Sequence, residues 1–305
     1  MLVEHCIVIS IIILSMLSFV DIVDLCVGAG RGTCKMFDAE SGTWTDLPYM
    51  PAMEYAYFGY VVVPRKACHR IYIFGGYHTA GSDYVGNECK FIDIEDNGKW
   101  TTIDERMSIN RAWTCAVLLD HDTIVICGGN DQESFRSIRS CDRFDLTTHT
   151  FLSFPDMLTP RAGHAGVHYN GTIVVGGGYI DQTSTRTCEQ FDPTIGEWRS
   201  FPYLNYTHVD AGWTVVGDMI YAVGGRNWKG EGIEIYDGWA WKALNIPPYA
   251  YTNINWSTAV TLGTNVAMFA STDDSMMMFD TATPRWNLIE KKTTFYHGRI
   301  YAVSF

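Results

Sequence analysis

The sequence is short of charge. Only 18% of its 305 residues are charged, against about 25% in an average globular chain. No cluster of Lys and Arg relieves the net charge of −12. A nucleic-acid backbone is held by clustered cations, so nucleic acid is not the expected partner. The acids are not clustered either, which describes a solvated acidic surface. None of the nine cysteines forms a C-x-x-C pair, which removes the usual zinc spacings. G-x-S-x-G, S-x-x-K and H-E-x-x-H are absent, and with them the signatures of several hydrolases. There is no sustained 3.6-residue apolar period outside the N-terminal run, so α/β folds are not expected. No Pro/Gly/Ser-rich linker divides the chain. These absences leave a folded chain with no expected metal or cofactor.

The one long apolar run, Cys6 to Phe19, is too short to span a bilayer comfortably. It has the length of a signal-peptide core, but "MLVEH" before it lacks Lys and Arg and carries Glu4. Residues 1–19 therefore read as a signal segment, an anchor or an irregular strand, and 20–305 as the folded domain. Membrane association is expected only if that run is an anchor.

What is present is repetition. "CKMFD", "CKFID", "CDRFD", "CEQFD", "IEIYD" and "MMMFD" recur at 43- to 55-residue intervals, counted from Phe37, Ile92, Phe144, Phe191, Tyr236 and Phe279. A second aromatic follows each copy: Trp44, Trp100, Phe151, Trp198, Trp241 and Trp286. Upstream lie apolar runs closed by glycine pairs, Gly75-Gly76, Gly128-Gly129, Gly177-Gly178 and Gly224-Gly225. Each unit contains about four short apolar or alternating segments. In the fourth unit the first two are joined by Asn170-Gly171, a two-residue hairpin signal. A small antiparallel sheet cannot bury both its faces alone. Six such sheets packed face to face around an axis can, and that arrangement is a β-propeller. The glycines fit a sharp turn or a close backbone approach, and the second aromatic is large enough to fill the gap between neighbouring sheets.

The pattern GG…[FY]D…W resembles the Kelch repeat. It covers roughly residues 20–305 and is most similar to the Kelch domains of BTB-Kelch adaptors, although no BTB or BACK segment fits beside six repeats. Phe151 for Trp, and Ala270-Ser271 for the glycine pair, depart from the pattern. The expected fold is a six-bladed Kelch β-propeller of four-stranded antiparallel blades. From each second aromatic the next inner strand begins about thirteen residues on, so Trp286 leads to Arg299 and "RIYAVSF" reads as an inner strand that runs out of chain. "VDIVDLCVG" (20–28) reads as the second strand of that same blade. Pairing of the two chain ends would then close the ring and remove an open sheet edge. The alternative places "HCIVIS" (5–10) as an inner strand.

Cys34, Cys89, Cys141 and Cys188 share one register position with Ile233 and Met276, so they read as small core residues. Equivalent positions in different blades are too far apart for disulfides. An odd set of buried thiols fits a reducing, cytoplasmic setting better than secretion; sequons at Asn170, Asn205 and Asn255 favour the secreted alternative. His164 and His168 would lie about 13 Å apart along a strand and cannot share a metal.

The resemblance implies a protein-interaction module, like the substrate-recognition propellers of ubiquitin-ligase adaptors. Some Kelch propellers are enzymes, such as the sialic-acid mutarotases, which makes a channel enzyme the rival reading. In Kelch propellers, the loops joining second to third strands and fourth to next first strands make one face around the channel. The residues expected there are Tyr77, Arg111, Asn130, Arg139, Arg161, His164, Tyr179, Arg186, Arg226 and Trp228. Tyr, Trp and Arg are enriched at interface hot spots, and the arginines would favour a protein or peptide with an acidic motif.

Overall fold

The computed structural model describes residues 25–27, 34–38, 43–48, 55–56, 58–64, 70–78, 84–93, 99–131, 133–225, 233–244, 246, 257–270, 275–291 and 299–301. Among these every regular element is a strand, and no helix is long and apolar enough to cross a membrane. The apolar run 6–19, the alternative strand 5–10, Arg226 and Trp228 lie outside the described residues.

Five four-stranded antiparallel sheets follow one another along the chain. Blade 1 runs from Gly59–Val63 to Thr101–Ile103, blade 2 from Cys115–Asp120 to Thr150–Phe154 and blade 3 from Ala165–Tyr169 to Glu197–Phe201. Blade 4 runs from Gly212–Val216 to Trp241–Leu244 and blade 5 from Ser257–Leu262 to Arg285–Lys291. In each, the strands lie side by side in sequence order, the first being innermost. Each inner strand sits beside the inner strand of the next blade, from Gly59–Val63 round to Arg299–Tyr301. Arg299–Tyr301 pairs antiparallel with Leu25–Val27, with Leu25 opposite Tyr301 and Val27 opposite Arg299. Cys34–Asp38 pairs with Thr43–Leu47. The two chain ends thus supply the strands of a sixth, composite blade, and the ring closes as the repeat register requires.

The cores lie between blades. Side chains of a strand alternate between its two faces, so the second strand of blade 2 sends Ile124 and Ile126 toward Tyr72 and Phe74 of blade 1. Val125 and Cys127 of the same strand meet Ile173, Val175 and Phe191 of blade 3. Both faces are buried, which is why these strands read as continuous apolar runs. Cys89, Cys141 and Cys188 are buried free thiols at one register position. Cys115 and Cys127 lie opposite each other on neighbouring strands, also as thiols.

The second aromatic does more than fill space. In blades 2 to 5 it stands directly across from the aromatic of the [FY]D pair, as in Phe191 and Trp198. The indole N–H groups then reach toward the preceding blade. Trp198 donates to Pro155 O at 2.9 Å, Trp241 to Pro202 O at 3.0 Å and Trp286 to Ile246 O at 2.9 Å. Phe151 has no such donor. In blades 2 to 5 the Asp of the pair turns the chain between the outer strands: Asp192 Oδ1 accepts the Thr194 N–H at 2.9 Å, and Asp145 accepts from Thr147 and Thr148. Asn170 and Gly171 hold φ of 47° and 76°, as the hairpin reading expects.

Candidate functional site

Because successive strands reverse direction, the second-to-third and fourth-to-first connections emerge on one face of the ring. Among the described residues, short ladders extend this face in three blades: Tyr55–Ala56 with Tyr77–His78 and Tyr84–Val85, Arg111–Ala112 with Asn130–Asp131, and Tyr179–Ile180 with Thr183–Ser184.

A layer of buried charge lies beneath the loops. Arg111, Arg161 and His208 occupy equivalent places, each four residues ahead of an inner strand. The main chain of each is tied to the preceding blade and its side chain to its own. Gly129 of blade 2 donates its N–H to Arg161 O at 2.9 Å. The Arg161 guanidinium turns into blade 3, donating to Gly177 O and Thr187 O, both at 3.0 Å, and to Glu189 Oε1 at 2.7 Å. Arg111 repeats the arrangement, accepting from Gly76 and donating to Ser140 O and Asp142 Oδ2. His208 repeats it with an imidazole: its O accepts from Gly178, and its ring nitrogens face Gly224 O at 2.9 Å and Glu234 Oε1 at 3.1 Å. The glycine pairs make this approach feasible. Gly128 has φ of 61°, and a Cβ there would lie 2.5 Å from Arg161 O, closer than any side chain can be accommodated.

The acids complete the clamps. Glu189 also accepts the N–H groups of Leu158 and Thr159, at 2.6 and 2.9 Å. Glu234 accepts those of Asn205 and Tyr206, both at 2.7 Å. Burial pushes the Glu234 carboxyl up, but the bonds from His208 and these amides outweigh it and hold it below the usual glutamate value. Asp142 is one methylene shorter and is ion-paired with Arg111. The residues matching Leu158 and Thr159 here are Ser108 and Ile109. With Asn87, Asn110, Asp131 and Glu133 they line a cleft of about 460 Å³ between blades 1 and 2.

These findings correct part of the expected interaction face. Arg111 and Arg161 are 0% exposed; their guanidiniums are used inside the fold and present nothing to a partner. His164 is buried too, 7% exposed, with both ring nitrogens unpaired among the described residues. Burial, and then the charge of Arg161, hold it well below the usual histidine range. Tyr77, Asn130 and Tyr179 are half-buried on the loop face, and Arg139 and Arg186 are exposed there. Arg139 is ion-paired with Asp156 at 3.4 Å, and Arg186 donates to Asn205 O at 3.2 Å.

Reading motifs one at a time missed the acid partners, yet the repeats carry the signal. Where the clamp position is Arg111, Arg161 or His208, the second residue of the third strand is Asp142, Glu189 or Glu234. Where it is Tyr55, that residue is Lys90, paired instead with Glu88 at 2.9 Å.

The repeated four-stranded sheets, arranged around a ring, define a β-propeller. Its likeness in sequence is to Kelch repeats. The Kelch motif family matches residues 160–205. The chain is 26% identical over 177 residues to Kelch-like protein terF of Aspergillus terreus, covering 54% of this chain and 36% of that protein. It is likewise 26% identical over 123 residues to Kelch repeat and BTB domain-containing protein 1 of cowpox virus and of vaccinia virus, covering 39% of this chain and 22% of those proteins. The chain thus spans well under half the length of these relatives. Among solved structures, that titled "Structure of YjhT" superposes with a TM-score of 0.71 at 12% identity, covering 86% of this chain and 93% of that one; the likeness is one of fold.

Proposed function

We propose that this propeller is a protein-interaction module that holds its partner on the loop face, in the manner of the substrate-recognition propellers of ubiquitin-ligase adaptors. One observation carries the reading. The clamps consume the buried charges, while the side chains left at the loop surface come from several blades and share one face: Tyr77, Asn130, Arg139, Tyr179 and Arg186, joined by Phe135 and Tyr203, 70% and 62% exposed. Aromatics and arginines on a rigid frame suit a partner surface. Proximity labelling with the full chain tests it. Tyr179→Ala with Arg186→Ala should lose partners that Trp239→Ala, on the opposite face and 86% exposed, retains. The reverse pattern would place the interaction elsewhere.

A further inference from the structure

Burial of Arg111 takes its charge away from the loop face where blades 1 and 2 meet. Among the described residues the cleft there is lined by no Lys or Arg, and Arg111 beneath it is paired with Asp142. Asp131 and Glu133 are the charged groups of its wall. Burial pushes Asp131 up, but the Ser134 hydroxyl and amide bonds outweigh this and hold it below the usual aspartate value, so it carries its charge at neutral pH.

Three residues beyond Asn110 of the cleft wall stands a strained aromatic. Trp113 has φ of 56°, a left-handed conformation unfavourable for a bulky residue. The same place in the next two blades holds Gly163 at 60° and Asp210 at 53°. The backbone there is therefore imposed by the ring: Gly163 donates its N–H to Trp113 O, and Asp210 to Gly163 O, both linking neighbouring blades. Glycine meets that demand without strain. Trp113 is only half-buried, and its ring meets Tyr77 at 6.2 Å with a 47° tilt. Ala112, adjacent to Trp113, pairs with Asn130, and Arg111 with Asp131. Tyr77 follows Gly76, whose N–H donates to Arg111 O at 2.9 Å, so the Arg111 main chain links the aromatic pair to the acidic wall.

Resting on the loop-face reading, we propose that Trp113, Tyr77 and the adjoining acidic cleft receive a cationic side chain, lysine or arginine, of the partner protein. Aromatic faces attract cations through the ring quadrupole, and the cleft supplies carboxylates of complementary charge. The partner chemistry is thus opposite to the acidic motif that the arginine count suggested.

The test uses the full chain and fluorescence anisotropy at physiological salt. Two fluorescein-labelled peptides share a Gly-Ser frame, one carrying four arginines and the other four glutamates. The arginine peptide should bind and the glutamate peptide should not. Trp113→Gly should weaken the arginine peptide about fivefold while the melting temperature holds or rises, since glycine suits that backbone. Glu133→Gln should also weaken it. Wild-type binding by both variants would reduce the effect to general charge attraction and overturn the proposal, as would preference for the glutamate peptide or no binding of either. A protein partner lost with Tyr179→Ala while the arginine peptide stays unbound would sink the cationic site and leave the loop-face reading standing. Loss of partners with Trp239→Ala would remove the loop-face reading itself.

Discussion

Replacing Arg161 with alanine separates a clamp from a recognition residue. The side chain is 0% exposed and donates four hydrogen bonds, to Gly177 O, Thr187 O, Thr187 Oγ1 and Glu189 Oε1, at 3.0, 3.0, 3.1 and 2.7 Å. Its removal strands the Glu189 carboxylate, only 3% exposed, with two amide donors in place of a cation. Two carbonyls lose their donor as well. Breaking a buried pair from one side costs about 3–5 kcal/mol. At about 2–4 °C per kcal/mol for domains of 150–250 residues, the melting temperature should fall by roughly 10 °C. Thermal unfolding followed by circular dichroism reads this directly. Arg161→Lys keeps the charge but not the planar fork, and should fall in between. Arg161→Met combined with Glu189→Met should recover the part of the loss due to the lone charge, but not the part due to the Leu158 and Thr159 amides and the Gly177 and Thr187 carbonyls, which lose these partners. An alanine variant melting within about 2 °C of the wild type would refute the clamp; a residue serving only a partner behaves that way.

Two further outcomes follow from the same geometry. Glu234 is held below its ordinary value of 4.5, so the stability from its ionised form is present above pH 4.5 and is lost as pH falls through the lower folded value. Urea midpoints measured between pH 7 and pH 3 should drop at the acid end, and Glu234→Gln should be less stable at pH 7 but flatter across that range; an identical profile would rule the linkage out. Deleting residues 299–305 removes the partner of Leu25–Val27, opens the ring to leave an unpaired edge, and should lower the melting temperature sharply. An unchanged value would disprove the closure.

Much of the fold was legible because its determinants are local and recur. Gly75-Gly76 and its equivalents announce a left-handed turn wherever they stand. In blades 2 to 5 the Asp of the [FY]D pair caps its own turn, and Trp198 fills a gap set by strand spacing. Closure was legible for the same reason: Arg299 stands where the repeat register puts an inner strand, and Leu25 where it puts a second. The loop face was read less well. Arg161 looks the same on paper whether its guanidinium turns outward to a partner or inward to Glu189, 28 residues away. His164 looks like a loop residue until the glycine turns of two blades close over it.

The residue pattern alone therefore determined the blade, its turns, its repetition and the closing of the ring, because each rests on contacts within one unit or on register between units. Only the tertiary structure decided which cations lie inside and which face solvent. Curling the sheets around a common axis brings each third-strand acid beneath the loop that enters its own blade. A buried carboxylate demands a buried cation, so Arg111 and Arg161 turn inward. The positive φ of Trp113 has the same origin: the neighbouring blade sets that backbone, and nothing in the residue's own sequence context requires it.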